Sequence, residues 1–351
     1  MVVRMTTTTR TPNAPPPRPR GLPRRLTLAT VLEGGAPRLA ARTGRGLVDV
    51  ARAAGLLGLE APGTMDDMLR DEDGPAVNAV VEAALASPAA AGAFLDEARV
   101  RFGPVVTRPE KVVCVGLNYR RHAQEVGAAI PKQPVLFAKW ANALLGHGGT
   151  IALPSAAASQ FDHEVELVVV MGRTARNVAE ADALSYVAGY CTGNDFSARD
   201  LQFETGGQWL SGKACDGFAP LGPWLVTADQ VDPDRLAIEC RVNGEVRQSS
   251  STSDFIFGVR AQLSYISRLF TLRPGDLVFT GTPEGVIQGK PKEQRVWLRA
   301  GDEIACSVEG LGELRFGAQT SSMIAAPRNA FTIGAPTAGD REGTGLTKLR
   351  A

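Results

Sequence analysis

The sequence predicts a strand-rich α+β protein, with a small N-terminal domain ahead of a larger one that carries the chemistry. Three observations lead there. Short apolar runs recur in the later part of the chain, at residues 165–171, 187–192 and 277–280, and read as buried strands. Asn243-Gly244 separates two strand-like stretches, 236–242 and 245–248, the strongest short hairpin signal. Strands and helices do not alternate regularly, which argues against a Rossmann or TIM-barrel arrangement.

Residues 1–25 are rich in Thr, Pro and Arg, and the first acidic residue is Glu33. A transit peptide has such a composition, but Pro15-Pro16-Pro17 opposes an amphipathic helix and no apolar h-region is present. The segment reads as a disordered extension. Residues 26–32 form a candidate strand, Gly34-Gly35 turns it, 38–48 gives a second strand and 49–57 a short helix. The Ala-rich stretch 76–101 has helical spacing at Val80, Ala84, Phe94 and Ala98. Residues 26–108 contain no His, Cys or Lys, so this domain is expected to support rather than react.

The segment from Pro104 to Pro109 marks a boundary, and 109–320 forms the catalytic domain. Residues 111–117 read as an apolar strand and 118–125 as a polar loop or short helix. Over 252–270 the period becomes helical: Phe255, Ile256, Val259, Leu263, Ile266 and Phe270 share a face, with Ser253 as N-cap. Similar turns, Arg273-Pro274-Gly275-Asp276 and Arg299-Ala300-Gly301-Asp302, precede strands at 277–280 and 303–308. Residues 321–351 read as a loose tail.

The totals bound the function. The chain has 351 residues, 44% hydrophobic and 21% charged, enough for a sizeable core. A net charge of +1, with no basic stripe interleaved with aromatics, argues against nucleic acid as a partner. No apolar run approaches the ~20 residues that span a bilayer, so no membrane role is expected. Cys114, Cys191, Cys215, Cys240 and Cys306 are scattered without a CxxC pair, which suits a reducing, cytoplasmic setting. Cys215, close to Lys213, is the one to watch for reactivity, although no base stands beside it in sequence.

The chemistry concentrates in a few places. Glu164 and Glu166 lie two apart at the start of an apolar run, so on a strand they share a face while His163, Val165 and Leu167 take the other. Two adjacent buried anions need a partner or a proton. A divalent cation resolves this, with Asp195 as third ligand, and carboxylates without sulfur suit Mg²⁺, Mn²⁺ or Ca²⁺ better than zinc. His122 and Glu125, three apart, face each other on a helical turn; they form a general-base dyad or an incidental pair on a solvated turn. Lys213 is either a compact charge for a developing enolate or a surface lysine. Arg199 and Gln202, at +4 and +7 from Asp195, offer donors to a carboxylate or keto oxygen, or else a polar helix surface. Thr282, in Thr280-Gly281-Thr282-Pro283, belongs to an anion-binding turn or an ordinary one. His147 reads as a loop residue with no evident partner, and His163 as structural.

These stretches, taken in order, resemble the fumarylacetoacetate hydrolase family over roughly residues 111–316. The matching segments are Val115-Gly116-Leu117-Asn118-Tyr119 with His122 and Glu125, Pro134 to Lys139, Asp162 to Leu167, Asn194 to Gln202, Gln208 to Lys213, Asp216 to Pro223, Arg241 to Gln248 and Pro274 to Pro283. The resemblance implies a mixed β-sandwich roll, a homodimer and a divalent ion, usually Mg²⁺. It implies Glu164, Glu166 and Asp195 as metal ligands, His122 and Glu125 as a water-activating dyad on a mobile lid, Lys213 as enolate stabiliser, and Arg199, Gln202 and Thr282 as contacts to a keto or enol acid. The sequence departs from many members at Ala214-Cys215 and at Trp140-Ala141-Asn142, both of which bear on specificity. The implied reaction is hydrolysis of a C–C bond in a 1,3-dicarbonyl acid such as an acylpyruvate. Isomerisation of a 2-hydroxyhepta-2,4-diene-1,7-dioate-type diacid and decarboxylation of oxaloacetate use the same parts. A non-catalytic keto-acid-binding paralogue is the alternative of a different class.

Overall fold

A computed structural model describes residues 20–320, so the extension up to residue 19 and the tail 321–351 lie outside the described residues. Residues 21–24 are hydrogen-bonded to the helical region that follows. The Gly21 N–H donates to Glu72 O at 2.6 Å and the Arg24 N–H to Asn78 Oδ1 at 3.1 Å.

The architecture is strand-rich α+β. An 11-stranded sheet runs from Phe94–Leu95 through Gly46–Asp49, Ala36–Thr43, Thr27–Glu33, Leu225–Thr227, Val187–Asn194, Val165–Met171, Leu277–Phe279 and Val112–Gly116 to Val135–Lys139, with Arg101–Phe102 pairing beside Thr27–Glu33. A 5-stranded sheet, in the order Glu245–Ser251, Ala237–Val242, Glu303–Val308, Gly312–Thr320, Thr150–Leu153, packs on the middle of the first. Most pairs are antiparallel, but Leu277–Phe279 runs parallel to Val112–Gly116, and Gly312–Thr320 to Thr150–Leu153. The sheet is therefore mixed, as a β-sandwich roll requires. Val165–Met171 lies at the centre and is buried at every position, which is why its sequence is continuously apolar after Glu166.

Two helices differ from the sequence expectation. The Ala-rich helix covers Gly74–Ala86 and does not reach residue 101. Pro88 forces Ser87 into an extended conformation (φ −112°, ψ 126°), and a 3-10 turn over Pro88–Ala93 leads into a strand. The later helix begins at Val259, capped by Gly258, and not at Ser253. The competitor is Asn118. Its Nδ2 donates to the Phe257 and Thr280 carbonyls, its Oδ1 accepts from the Phe257 N–H at 2.9 Å, and its carbonyl accepts from the Ile256 N–H at 2.7 Å. Those bonds keep 255–258 out of a helix, and Ser251 rather than Ser253 caps the short turn Thr252–Asp254.

The N-terminal strands join the later ones where Thr27 and Leu28 pair with Val226 and Leu225. The loop at Gly146 lies against Phe102 and Gly103, where a Cβ would sit 2.5 Å from the Phe102 carbonyl oxygen, so only glycine fits. His147 beside it has partners that the sequence did not suggest. Its Nδ1 accepts from the Arg315 N–H at 3.2 Å, and its ring meets Phe102 edge-on at 5.6 Å.

Candidate active site

Three neighbouring strands converge on one end of the central sheet. Glu164 and Glu166 flank the first residue of Val165–Met171 and share a face, as the period of two predicts. Asn194 pairs with Val165, which brings Asp195 beside Glu164; the Asp195 N–H donates to the Glu164 carbonyl at 2.8 Å. From the strand on the other side, the Gly281 N–H donates to Glu166 Oε2 at 2.8 Å. Gly281 has φ +103°, and a Cβ there would meet the Asn118 side chain at 2.7 Å, so this donor depends on glycine. Oxygens of Glu164, Glu166 and Asp195 lie within 4.8 Å of one another, and all three residues are buried. His163 faces away, as expected. Its Nδ1 lies 3.1 Å from Gln248 Oε1, on the second sheet, and burial pushes its imidazole below the usual range.

Buried cations surround the cluster. Lys213 Nζ is 2.7 Å from both Glu164 Oε2 and Asp195 Oδ2. Arg199 pairs with Asp162 at 2.8 Å and with Glu164 at 2.5 Å, and its Nη1 donates to Gln202 Oε1 at 2.9 Å. Lys139 Nζ lies 2.7 Å from Asp195 Oδ1 and donates to the carbonyls of Phe196, Lys213 and Phe218. Burial raises Glu164, but Arg199 and Lys213 outweigh it and hold the carboxyl below its ordinary range. Glu166 has no such ammonium or guanidinium contact. Burial, then Asp195 and Glu164 beside it, push its carboxyl well above the usual range. Asp162, Glu164, Glu166 and Asp195 face Lys139, Arg199 and Lys213, one cation short. The donor set therefore fits a hard divalent cation, which would relieve the carboxylate left without a positive partner.

A sharp turn brings a further part of the lining. Leu117 takes a left-handed conformation (φ 52°) between the strand Val112–Gly116 and the short helix Arg120–Glu125. His122 Nδ1 lies 3.1 Å from Glu125 Oε2, while Glu125 Oε1 accepts from the Gly285 N–H at 2.9 Å. Thr282 Oγ1 donates to the Val165 carbonyl at 2.9 Å and accepts from Gln248 Nε2. Every residue singled out from the sequence for catalysis, substrate contact or metal lines one cavity of about 410 Å³, with Val115, Phe137, Trp209 and Val286 as apolar walls.

Three contributors were not anticipated. Asp162 accepts from the Ile287 and Gln288 N–H groups and anchors Arg199. Its signal was present, since Asp162, Glu164 and Glu166 alternate. Lys139 carries a weaker signal, a charge that closes the apolar run from Val135. Gln248 ties His163, Val165 and Thr282 together, and nothing local marks it. Cys215 has its Sγ 3.5 Å from the Ser211 carbonyl and burial raises its thiol, the opposite of activation.

Fold and pocket together define an enzyme with a buried acidic site suited to a divalent cation. The chain belongs to the fumarylacetoacetate hydrolase family: residues 111–317 match the profile described as Fumarylacetoacetate (FAA) hydrolase C-terminal. It is 45% identical over 253 residues, 72% of this chain and 78% of the relative, to oxaloacetate tautomerase FAHD2A, mitochondrial, of Bos taurus. The structure of 2-hydroxyhepta-2,4-diene-1,7-dioate isomerase from Mycobacterium marinum matches with a TM-score of 0.64 at 33% identity, covering 84% of this chain and 98% of that one. Maleylpyruvate hydrolase from Sphingobium sp. SYK-6, solved in complex with manganese(II) ion and pyruvate, matches with a TM-score of 0.67 at 30% identity, covering 84% and 99%. No helix among the described residues is long and apolar enough to cross a membrane.

Proposed function

We propose that this chain is a Mg²⁺-dependent enzyme that interconverts the keto and enol forms of a 2-oxo diacid of the oxaloacetate type. The observation that carries it is one cavity lined by the acidic triad, by Lys213 and by the His122–Glu125 pair. Glu164, Glu166 and Asp195 would hold the ion, which supplies Lewis acidity toward a bound 2-oxo acid. With Nδ1–H directed at Glu125, His122 has Nε2 available to move a proton at the carbon beside the ketone. Lys213 places positive charge where the enolate oxygen develops. Gln202, its Oε1 held by Arg199, offers its Nε2 donors to the acid's carboxylate; the Thr282 hydroxyl proton already goes to the Val165 carbonyl, so that residue lines the site without giving it to the substrate. The identity to the Bos taurus tautomerase favours this reaction within the family.

A second reading, hydrolysis of a C–C bond in an acylpyruvate, is favoured by the buttressed His122, which could equally activate water, and by the hydrolase that binds manganese and pyruvate. Decay of the enol absorbance of oxaloacetate, followed with Mg²⁺ and after chelation, tests the first. Decay at the uncatalysed rate in both conditions sinks it. Acylpyruvates incubated in H₂¹⁸O test the second, because only hydrolysis puts label into a new carboxylate. The proposal takes residues 26–108 as a supporting domain and the protein as a cytoplasmic homodimer, which light scattering and cell fractionation would check.

A further inference from the structure

A 2-oxo diacid brings a second carboxylate, and the cavity must meet it. The lysine and arginine side chains that line it are Lys213, Arg199 and Arg295. Lys213 lies between Glu164 and Asp195, and Arg199 between Asp162 and Glu164, so each already faces a pair of buried anions. Arg295 differs. Its Nε donates to the Lys290 carbonyl at 2.8 Å, and its guanidinium lies 6.0 Å from the centre of the Trp297 ring. No carboxylate pairs with it among the described residues. It is half-buried and lines both the main cavity and an adjoining vestibule of about 390 Å³, whose other charged side chains, apart from Arg199, are the exposed Lys292 and Glu204.

Gln288 lines the same two spaces. Its backbone N–H is committed to Asp162 Oδ2 at 3.0 Å, which fixes where the side chain starts. Its Oε1 is buried without a hydrogen-bond partner. A buried amide oxygen left unbonded is costly, and turning the amide over presents N–H donors instead.

We propose that Arg295, assisted by Gln288, binds the distal carboxylate of the substrate and so selects 2-oxo diacids over 2-oxo monoacids. The inference rests on the function proposed above and narrows its substrate class. A guanidinium suits this task because its planar fork matches both carboxylate oxygens. The residues on the triad side would hold the 2-oxo acid end, common to both classes, while Arg295 reads the other end.

Binding is the appropriate test, because it is informative whether or not a reaction has been found. Protein loaded with Mn²⁺ is titrated calorimetrically with 2-oxoglutarate and with 2-oxopentanoate, which share a chain length and differ in the distal carboxylate. The wild type should favour 2-oxoglutarate by on the order of ten- to a hundredfold. Arg295→Met should erase that preference while 2-oxopentanoate binds as before, which also reports an intact site. Gln288→Leu should lower the preference by a smaller factor in the same direction. The proposal is overturned if the wild type shows no preference, if it binds neither compound, or if Arg295→Met keeps the preference. Absence of oxaloacetate tautomerisation with the preference intact would instead sink the reaction and leave the diacid selectivity standing.

Discussion

The strands Thr27–Glu33, Ala36–Thr43 and Gly46–Asp49 belong to the same sheet as the strand that carries Glu166, yet the two regions are held together by different forces. In the first, Leu28, Leu39 and Val48 on one face of the sheet and Leu47 on the other are fully buried, and the helix Val50–Leu57 packs beside these strands. Asp49, the buried carboxylate among them, is completely used. It accepts from the Arg52 N–H as a helix cap and from Arg38 through Nε at 2.7 Å. In the second region, carboxylates and cations sit side by side with little water, and each charge is tolerable because of its neighbours. One region is stabilised by area removed from water. The other spends stability to keep a set of charges ready for an ion and an anionic substrate.

Removing a member should therefore hurt more in the charged region. Arg199→Met takes the guanidinium from between Asp162 and Glu164 and leaves buried anions with fewer partners. The expected loss is about 3–5 kcal/mol in urea unfolding at neutral pH. A loss under about 1 kcal/mol would mean that water reaches the cluster and the contrast between regions is false. Leu47→Ala, in the apolar region, should cost about 3 kcal/mol by transfer and cavity terms, and the folded fraction should keep its metal affinity unchanged. Altered metal affinity would show that the N-terminal strands shape the site.

A third substitution should invert the usual sign. Glu166 is the triad member whose negative charge is opposed by Asp195 and Glu164 without a cation in contact. Glu166→Gln keeps the shape and can keep the Gly281 hydrogen bond. Metal-free protein should be as stable as the wild type or more so. Wild-type protein should gain about 2.7 kcal/mol from Mg²⁺ or Mn²⁺ at a hundredfold excess over Kd, and the variant should gain almost nothing. Equal stabilisation of both would remove Glu166 from the ligand set.

What could be read from the sequence in this site was local. Glu164 and Glu166 share a face because strands have a period of two, and His122 meets Glu125 because helical turns bring i and i+3 together. Arg199 and Gln202 do lie on one helical turn, but the anions that take Arg199's charge come from another strand. Asp162 is completed by N–H groups more than a hundred residues away, and Arg295 enters the cavity on a loop with no periodic signal. The helix expected from residue 252 failed for the same reason: its apolar spacing was sound, but the distant Asn118 offered residues 256 and 257 better hydrogen bonds than a helix would. Contacts of this kind depend on how strands are ordered in the sheet, and one-dimensional patterns do not carry that information.

The smallest effect is expected where the two regions touch. His147 packs on Phe102 of the N-terminal part and accepts from Arg315 N–H of the second sheet. Burial pulls its imidazole below the ordinary histidine value. The folded protein thus prefers the neutral ring, whose Nδ1 lone pair accepts the bond; a protonated ring would direct a second N–H at Arg315. In the unfolded chain the ring takes a proton near pH 6.5. Above that pH both states carry a neutral ring, and this stability contribution is fully present. As pH falls through the unfolded value toward the lower folded one, the unfolded state binds more protons and the contribution is lost. Unfolding free energies of wild type and His147→Gln, measured from pH 8 to pH 5, should show the wild type falling more steeply below about pH 6.5. Because the ring is half-exposed, the difference in slope should be slight. Parallel curves would mean that the seam does not sense the proton.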